Sequence, residues 1–201
     1  MQIVTISRQF GSGGRELGKR LADLLGYDYY DKEILEQIAK NKKLDKDYVE
    51  KSLTSVALKA IPVSFGRSIL PSFNATSTDL MVEERKIIEE LATQGKDLVI
   101  VGRNADVILD KYNPFNIFVC ATMDARIDRC LKNIRDGEKN DRTAMEKAIK
   151  KIDKERVRTR TIVTEREWGN PTSYHAVINT TGYNIKALSL ITANFIKELQ
   201  K

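Results

Sequence analysis

Short apolar runs alternate with amphipathic stretches along the chain. Five runs have the length and composition of buried strands: Gln2–Ser7, Tyr27–Tyr30, Leu98–Val101, Phe115–Ala121 and Tyr174–Asn179. Apolar residues at helical spacing predict helices over residues 15–25, from about residue 31, and over 78–93, 124–135, 143–165 and 185–199. This alternation predicts an α/β domain in which a parallel sheet has helices on both faces. The carboxyl ends of the strands are then the expected ligand edge.

Two stretches interrupt this pattern. The periodicity weakens over Leu53–Ser77, where two prolines and a glycine predict an irregular insertion with short helices. A polar break at Asp136–Asp141 precedes the helix over 143–165, which is rich in lysine and arginine and has only a sparse apolar stripe. We expect that helix to be largely exposed and interpret it as a candidate lid.

Composition narrows the class of protein. With 41% hydrophobic and 31% charged residues, the 201-residue chain is expected to be one soluble globular domain, neither disordered nor membrane-spanning. The net charge is +6, but basic and acidic residues are interleaved, which favours small phosphorylated ligands over nucleic acid. Met1–Ser7 has no features of a secretion signal, so we expect a cytoplasmic protein. Cys120 and Cys130 form no CxxC pair, which indicates reduced thiols and no metal site.

A glycine-rich stretch follows the first predicted strand. In the phosphate-binding pattern GxxxxGK[ST], backbone amides at a helix start meet phosphate oxygens, a cation reaches the terminal phosphates, and a hydroxyl holds magnesium. Here Gln9–Glu16 reads QFGSGGRE, so Arg15 stands at the lysine position and Glu16 at the hydroxyl position. The residues that would form the anion cradle are Gly11, Ser12, Gly13 and Gly14.

Two other interpretations of this stretch remain open. Its glycines could serve only a tight turn from strand to helix. They could also belong to a dinucleotide-binding fingerprint, with Asp31 about twenty residues further on, although Glu16 stands where a third glycine is required.

Several motifs together make the sequence resemble the cytidylate-kinase-like family, a branch of the nucleoside monophosphate (NMP) kinases. They are ISRQFGSGGRELGKRLA (6–22), YYDKEIL (29–35), VIVGRNAD (99–106), IDKERVR (152–158) and WGNP with YHAVINT (168–180). The resemblance covers nearly the whole chain. It implies one P-loop kinase domain over residues 1–201 with a three-layer fold and a five-stranded parallel sheet. It also implies an NMP-binding insertion at 31–80 and a helical lid at 136–168.

The resemblance also implies roles for individual residues. The donor phosphates of ATP would lie against Ser12–Arg15, with Glu16 at the usual hydroxyl site, so that Mg2+ coordination differs from the common pattern. Asp31 and Lys32 correspond to the region that contacts the acceptor nucleotide, and Arg103 to the arginine that meets its phosphate.

The lid would supply further charge. Asp153 and Arg156 reproduce a DxxR arrangement, and a spacing of three places them on one helical face. Arg158 and Arg160 lie close by, and arginines brought in by a closing lid stabilise a transferring phosphoryl group. The predicted catalytic residues are therefore Arg15, Arg103, Arg156 and Arg160. Asp153 is predicted to bind the substrate, together with Asp31, Lys32 and Arg103.

Each of these roles has a simpler alternative. Arg103 could form a surface salt bridge with Asp106, Asp31 could only cap a helix, Lys32 could be solvated, and the lid could be a solvated charged helix. Three further predictions concern other positions. Arg126 and Arg129 are expected near the donor nucleotide, and Trp168–Pro171 is expected to anchor the chain where it leaves the lid. His175 is expected to be structural.

Taken together, the motifs predict ATP-dependent phosphoryl transfer to a nucleoside monophosphate, with CMP or dCMP favoured by the resemblance, or to a similar small acceptor. The alternative is a nucleotide-binding regulator that has kept the fold and lost turnover, because Arg15 and Glu16 replace the usual lysine and hydroxyl. Small nucleotides are the expected partners, and a homo-oligomer is compatible with the sequence.

Overall fold

The structure, a computed structural model, describes residues 1–31, 77–132 and 141–199, together with the single positions 34, 36, 40 and 41. Within these residues, one sheet contains five strands: β1 (Ile3–Arg8), β2 (Asp28–Tyr30), β3 (Leu98–Val101), β4 (Phe115–Cys120) and β5 (Ala176–Asn179). The strand order is β2-β3-β1-β4-β5, and all neighbouring strands are parallel. The predicted five-stranded parallel sheet is therefore confirmed.

Helices connect the strands. The described helices are α1 (Gly14–Leu25), α2 (Ser77–Thr93), α3 (Ala105–Ile108), α4 (Met123–Leu131), α5 (Arg142–Val163) and α6 (Ile185–Leu199). Two short 3-10 helices, Asp110–Tyr112 and Pro171–Ser173, complete the connections. Most of the predicted segment Leu53–Ser77 and of the polar break Asp136–Asp141 lies outside the described residues. The insertion at 31–80 thus stays a prediction.

The alternation of side chains along the strands divides the core in two. On one face, Ile6 and Val101 pack with Leu17 and Leu21 of α1 and with residues of α6. On the other face, Ile100 packs with residues of α2 and α3. Each fully buried aliphatic side chain contributes about 1.5–3 kcal/mol relative to an exposed one. Helices on both faces therefore hold the sheet and fix its carboxyl edge.

The candidate lid helix α5 is packed along one side. Met145 and Ile149 lie against Ile127 of α4 in a third buried cluster, and the opposite side of α5 is exposed. The sparse apolar stripe seen in the sequence is therefore the packing surface of this helix. Within the described part of the chain, no helix is both long and apolar enough to cross a membrane.

Candidate functional site

The glycine loop, which we define as Gln9–Gly13, leaves β1 and enters α1. Gly11 and Gly13 have φ angles of 76° and 83°, which favour glycine. A side chain at Gly11 would begin 2.9 Å from both the Arg126 carbonyl oxygen and Cys130 Sγ on α4. The loop thus lies directly against α4, where no larger residue fits.

The Ser12 side chain is used within the loop. It is fully buried, and its hydroxyl donates a 2.8 Å hydrogen bond to the Gln9 carbonyl oxygen. The Ser12 carbonyl oxygen in turn accepts a 2.6 Å hydrogen bond from the Thr180 hydroxyl. The Ser12 amide also donates to the Gln9 carbonyl oxygen, at 3.3 Å, so both donors of Ser12 are engaged within the loop and Ser12 shapes the loop.

The N-terminus of α1 has no side-chain cap. The helical ladder begins with Leu17 N–H donating to the Gly13 carbonyl oxygen at 2.9 Å, and Gly13 occupies the cap position. Among the described residues, the amides of Gly14, Arg15 and Glu16 have no hydrogen-bond acceptor. Unsatisfied amides and the positive end of the helix dipole together favour an anion at this point.

The side chains of Arg15 and Glu16 turn away from these amides. Glu16 accepts a 2.8 Å hydrogen bond from Arg20 one helical turn later, and both are solvent-accessible. Arg15 forms a close ion pair with Asp31, although its own side chain is 56% exposed. The structure therefore places Arg15 at the edge of the site and Glu16 outside it.

Arg15, Arg103 and Arg156 lie close enough to Arg8 to act on it electrostatically, and we call these four residues the arginine cluster. The Asp31 carboxylate is 3% exposed, and Arg8 Nη2 lies 3.7 Å from its Oδ1. Burial lowers the pKa of Arg8 well below its ordinary value, and nearby Arg156 lowers it further while Asp31 raises it. Arg8 was missed by the sequence analysis, although a charged residue that ends an apolar strand before a glycine loop was a usable signal.

Arg156 connects α5 to the loop. Its Nη1 donates to the Arg8 carbonyl oxygen at 2.7 Å and lies 3.4 Å from Asp153 Oδ1. Burial lowers the pKa of Arg156 to about 10, an effect that Asp153 opposes and that Arg15 and Arg103 reinforce. The predicted DxxR pair is thus brought to the glycine loop.

Asp153 also binds the loop itself. Its Oδ1 accepts a 2.8 Å hydrogen bond from the Phe10 amide, and its Oδ2 forms a close ion pair with Arg126. Arg126 and Arg129 of α4 donate to the carbonyl oxygens of Phe10 and Gly11, at 2.7 and 2.6 Å. These three side chains hold the loop backbone, and a contact of any of them with a nucleotide stays a prediction.

Arg103 follows β3 with a φ of 60°, next to Gly102. Its Nη1 lies 3.4 Å from Glu84 Oε1 on α2. In the described residues, Arg103 Nε and Glu84 Oε1 are buried without a hydrogen-bond partner. Burial raises the pKa of Glu84, which Arg103 opposes. The alternative pairing of Arg103 with Asp106 is wrong, because the left-handed backbone at Arg103 turns its side chain to α2.

Asp106 instead pairs with Arg160. Arg160 Nη1 donates to both carboxylate oxygens of Asp106 at 2.8 and 2.6 Å, and its Nε donates to the Arg166 carbonyl oxygen at 3.1 Å. The Arg160 side chain is 1% exposed. We had expected Arg160 to bring charge to the site on a lid. The structure encloses it in an ion pair that fastens α5 to α3.

The remaining predicted residues have structural contacts or lie outside the description. The Trp168 ring packs edge-to-face on the Phe118 ring, with 5.1 Å between the ring centroids, and this contact holds the segment that follows α5 against the sheet. His175 Nδ1 accepts a 2.9 Å hydrogen bond from the Asn116 amide, and its ring stacks on Phe115. Cys120 and Cys130 are free thiols whose pKa is raised by burial. Lys32 lies outside the described residues.

The parallel sheet, the glycine loop before α1 and the cationic edge beside it define a phosphotransferase of the P-loop fold. The chain belongs to the cytidylate kinase-like family, whose family model matches residues 3–182. Among curated protein sequences, a search found no significant match.

Solved structures share this fold. An uncharacterized protein from Eubacterium ventriosum ATCC 27560 matches with a TM-score of 0.72 and 24% identity, over 98% of this chain and 99% of that one. Shikimate kinase from Acinetobacter baumannii, in complex with shikimate, matches with a TM-score of 0.54 and 12% identity over 98% and 94%. Thymidylate kinase from Candida albicans matches with a TM-score of 0.50 and 11% identity over 99% and 92%. Similarity at these identities shows the fold alone.

Proposed function

We propose that the protein transfers the γ-phosphoryl group of ATP to a small phosphate-bearing acceptor, with CMP and dCMP the first candidates because of the family. The observation that carries this proposal is the arginine cluster beside the uncapped N-terminus of α1. Free amides and buried guanidinium groups at one sheet edge suit two phosphorylated ligands that meet there.

The donor phosphates would lie at the start of α1. The amides of Gly14, Arg15 and Glu16 provide hydrogen-bond donors without any change of the loop. Gly11 and Gly13 allow the positive φ angles of the loop, and the Ser12 hydroxyl holds the loop by its hydrogen bond to the Gln9 carbonyl oxygen. Preorganised donors of this kind stabilise developing charge without reorganisation cost.

The acceptor phosphate would lie toward Arg103 and Asp31. Arg103 has a buried Nε without a partner among the described residues, and its ion pair with Glu84 is longer than a normal hydrogen bond. A phosphate oxygen would provide the missing acceptor in a bidentate arrangement. The base of the acceptor would be read by the insertion at 31–80, most of which lies outside the described residues, where Lys32 also belongs.

Arg15 and Arg156 would stabilise charge on the transferred group. Arg156 is held by the Arg8 carbonyl oxygen and faces the same space as Arg15 and Arg103. Phosphoryl transfer depends on positioning and on cations around the equatorial oxygens, and removal of one such group costs about 10²–10³ in kcat in comparable sites. Asp153 and Arg160 would act as positioning residues that fasten α5.

The donor set fits the phosphates of ATP better than it fits a protein-bound Mg2+. The carboxylate of Glu16 is engaged by Arg20, and the Ser12 hydroxyl is engaged within the loop. No group of three metal-ligating side chains occurs in the described residues. Mg2+ supplies neutralising charge when bound with the nucleotide, and its ligands would come mainly from phosphate oxygens and water.

The second candidate function is a nucleotide-binding regulator without turnover. The ion pair of Arg15 with Asp31 favours the regulator, because this ion pair engages the cation that stands at the lysine position of the phosphate-binding pattern. Arginine also presents its charge with a different geometry from lysine.

One experiment separates these functions. The protein is incubated with ATP, Mg2+ and CMP, dCMP, UMP, AMP or a non-nucleotide acceptor, and ADP is measured. We expect ADP formation to depend on one acceptor and to fall strongly in Arg15→Ala, whereas Arg85→Ala, an exposed change on α2, should behave as wild type. Tight ATP binding without ADP across the panel would overturn the kinase proposal and favour the regulator.

A further inference from the structure

Arg8 lies in a space that two glycines from other elements leave open. It is the last residue of β1 and precedes the glycine loop. A side chain at Gly14, the first residue of α1, would begin 2.6 Å from Arg8 Cβ. A side chain at Gly102, after β3, would overlap Arg8 Nη1. The Arg8 side chain therefore crosses the carboxyl edge of the sheet between the start of α1 and the end of β3.

Its guanidinium group has unusually few partners for its burial. The side chain is only 15% exposed, yet no hydrogen bond from its five N–H donors occurs within the described residues. The ion-pair partner Asp31 is 3.7 Å away, beyond hydrogen-bond distance, and is shared with Arg15. A largely buried cation without hydrogen bonds to the protein calls for an explanation in a native fold.

The surrounding charges point to an anion as that explanation. Arg15, Arg103 and Arg156 all lie near enough to act electrostatically on Arg8, and Asp31 is the carboxylate that opposes them. A ligand with several oxygens and more than one negative charge satisfies both the unmade hydrogen bonds and the excess positive charge. A polyphosphate chain at the start of α1 is such a ligand.

We infer that Arg8 is the phosphate-binding cation of the glycine loop. The alignment with GxxxxGK[ST] had assigned this role to Arg15. In the free protein, Asp31 acts as its counter-ion. When a polyphosphate occupies the loop, the Arg8 guanidinium binds its oxygens. This inference deepens the proposed function and rests on it, because it requires that the loop receives the phosphates of a nucleotide.

The test is titration calorimetry with inorganic tripolyphosphate, which has neither a nucleoside nor an acceptor. We expect Arg8→Met to weaken binding about tenfold or more, since charge-assisted hydrogen bonds are lost. The melting temperature is measured alongside and is expected to fall, because Arg8→Met leaves the buried Asp31 carboxylate with Arg15 as its ion-pair partner. The matched control Arg85→Met should keep wild-type affinity. Affinity of Arg8→Met within about twofold of wild type would overturn the inference, whatever the melting temperature.

A pair of glycine variants tests the same point with Arg8 retained, and decides the matter if Arg8→Met does not fold. Gly102→Ala introduces a methyl group that overlaps Arg8 Nη1, whereas Gly95→Ala has open space around it. Both glycines have positive φ, 79° and 72°, so the backbone strain is matched. We expect tripolyphosphate affinity to fall in Gly102→Ala alone. Equal affinities in the two variants would overturn the inference.

The titration also separates this inference from the proposed function. If wild type forms no ADP with any acceptor, the kinase proposal fails, while Arg8-dependent tripolyphosphate binding would still stand. If ADP forms normally in Arg8→Met, the inference fails and the kinase proposal stands.

Discussion

Arg160 on α5 and Asp106 on α3 form a two-point ion pair that is almost completely removed from solvent, with Nη1–oxygen distances of 2.8 and 2.6 Å. The two residues are separated by 54 positions in the sequence. Their pairing fastens the candidate lid helix to the short helix that follows β3. A second arginine–aspartate pair, Arg166 with Asp110, has similar distances but is exposed.

We expect Asp106→Ala to destabilise the protein strongly, because it leaves the Arg160 charge buried without a partner. Loss of one member of a buried pair costs about 3–5 kcal/mol, which corresponds to a fall of about 10 °C in melting temperature for a chain of this size. Asp110→Ala is the matched control and should cost less than about 1 kcal/mol. Thermal unfolding followed by circular dichroism provides the measurement. Equal falls in the two variants would contradict the assignment.

We expect Gly11→Ala to impair both stability and ATP binding. The added methyl group would lie 2.9 Å from both the Arg126 carbonyl oxygen and Cys130 Sγ. Relief of this overlap requires a shift of the Arg126 backbone, which costs free energy of folding. Gly26→Ala is the control, since that glycine also has a positive φ but nothing lies within 4 Å of the added atom. Calorimetric ATP titration should show a loss for Gly11→Ala only. Unaltered ATP affinity would mean that the glycine loop is not the donor site.

Arg156→Lys should reduce kcat by about 10²-fold and leave the melting temperature nearly unchanged. Lysine keeps a charge but lacks the planar group that reaches the Arg8 carbonyl oxygen and the phosphate at once. Lys154→Gln, an exposed change on the same helix, should retain wild-type turnover. Steady-state ADP formation with whichever acceptor the panel selects checks this. A kcat within about threefold of wild type would remove Arg156 from the catalytic residues.

The buried Glu84 carboxyl group should make the stability difference between wild type and Glu84→Gln depend on pH. Burial raises its pKa in the folded state, so the folded protein binds this proton more tightly than the unfolded chain does. Its stabilising contribution is therefore complete below the ordinary glutamate pKa of about 4.3 and is lost as the pH rises through the folded-state pKa. Glu84→Gln, which stays neutral, should gain free energy of unfolding relative to wild type as the pH rises above the ordinary glutamate pKa of about 4.3.

Urea unfolding at a series of pH values measures this difference. Glu89→Gln, a more exposed position on the same helix, shows whether the trend belongs to the buried carboxyl group. A Glu84→Gln difference that shrinks with rising pH would contradict the direction of the shift.

Most of the fold was readable from the sequence, because strand and helix patterns are local. Val99 and Val101 alternate with Leu98 and Ile100, and this run forms a strand covered on both faces at the predicted bounds. The resemblance to the cytidylate-kinase-like family, carried by motifs near the loop and on α5, is confirmed by the family model.

The partners of charged residues were less predictable, since they depend on contacts between distant elements. Asp106 lies three positions from Arg103, which suggested a pair, but the backbone at Arg103 directs the side chain to Glu84. Arg8 owes its position to Gly14 and Gly102 on two other elements. No local pattern reports such a space, so the sequence could at most have marked Arg8 as a charged residue at the end of an apolar strand before the glycine loop.

The glycine loop takes its shape from residues that are synthesised much later. Phe10 N–H donates to Asp153, the Arg8 carbonyl oxygen accepts from Arg156, and the Ser12 carbonyl oxygen accepts from Thr180, with sequence separations of 143, 148 and 168 residues. Contacts of such separation form late, because the loop-closure entropy must be offset first. The nascent chain therefore contains the complete loop motif long before it has the geometry of the site, and that geometry arises only after α5 and the residues following β5 have left the ribosome.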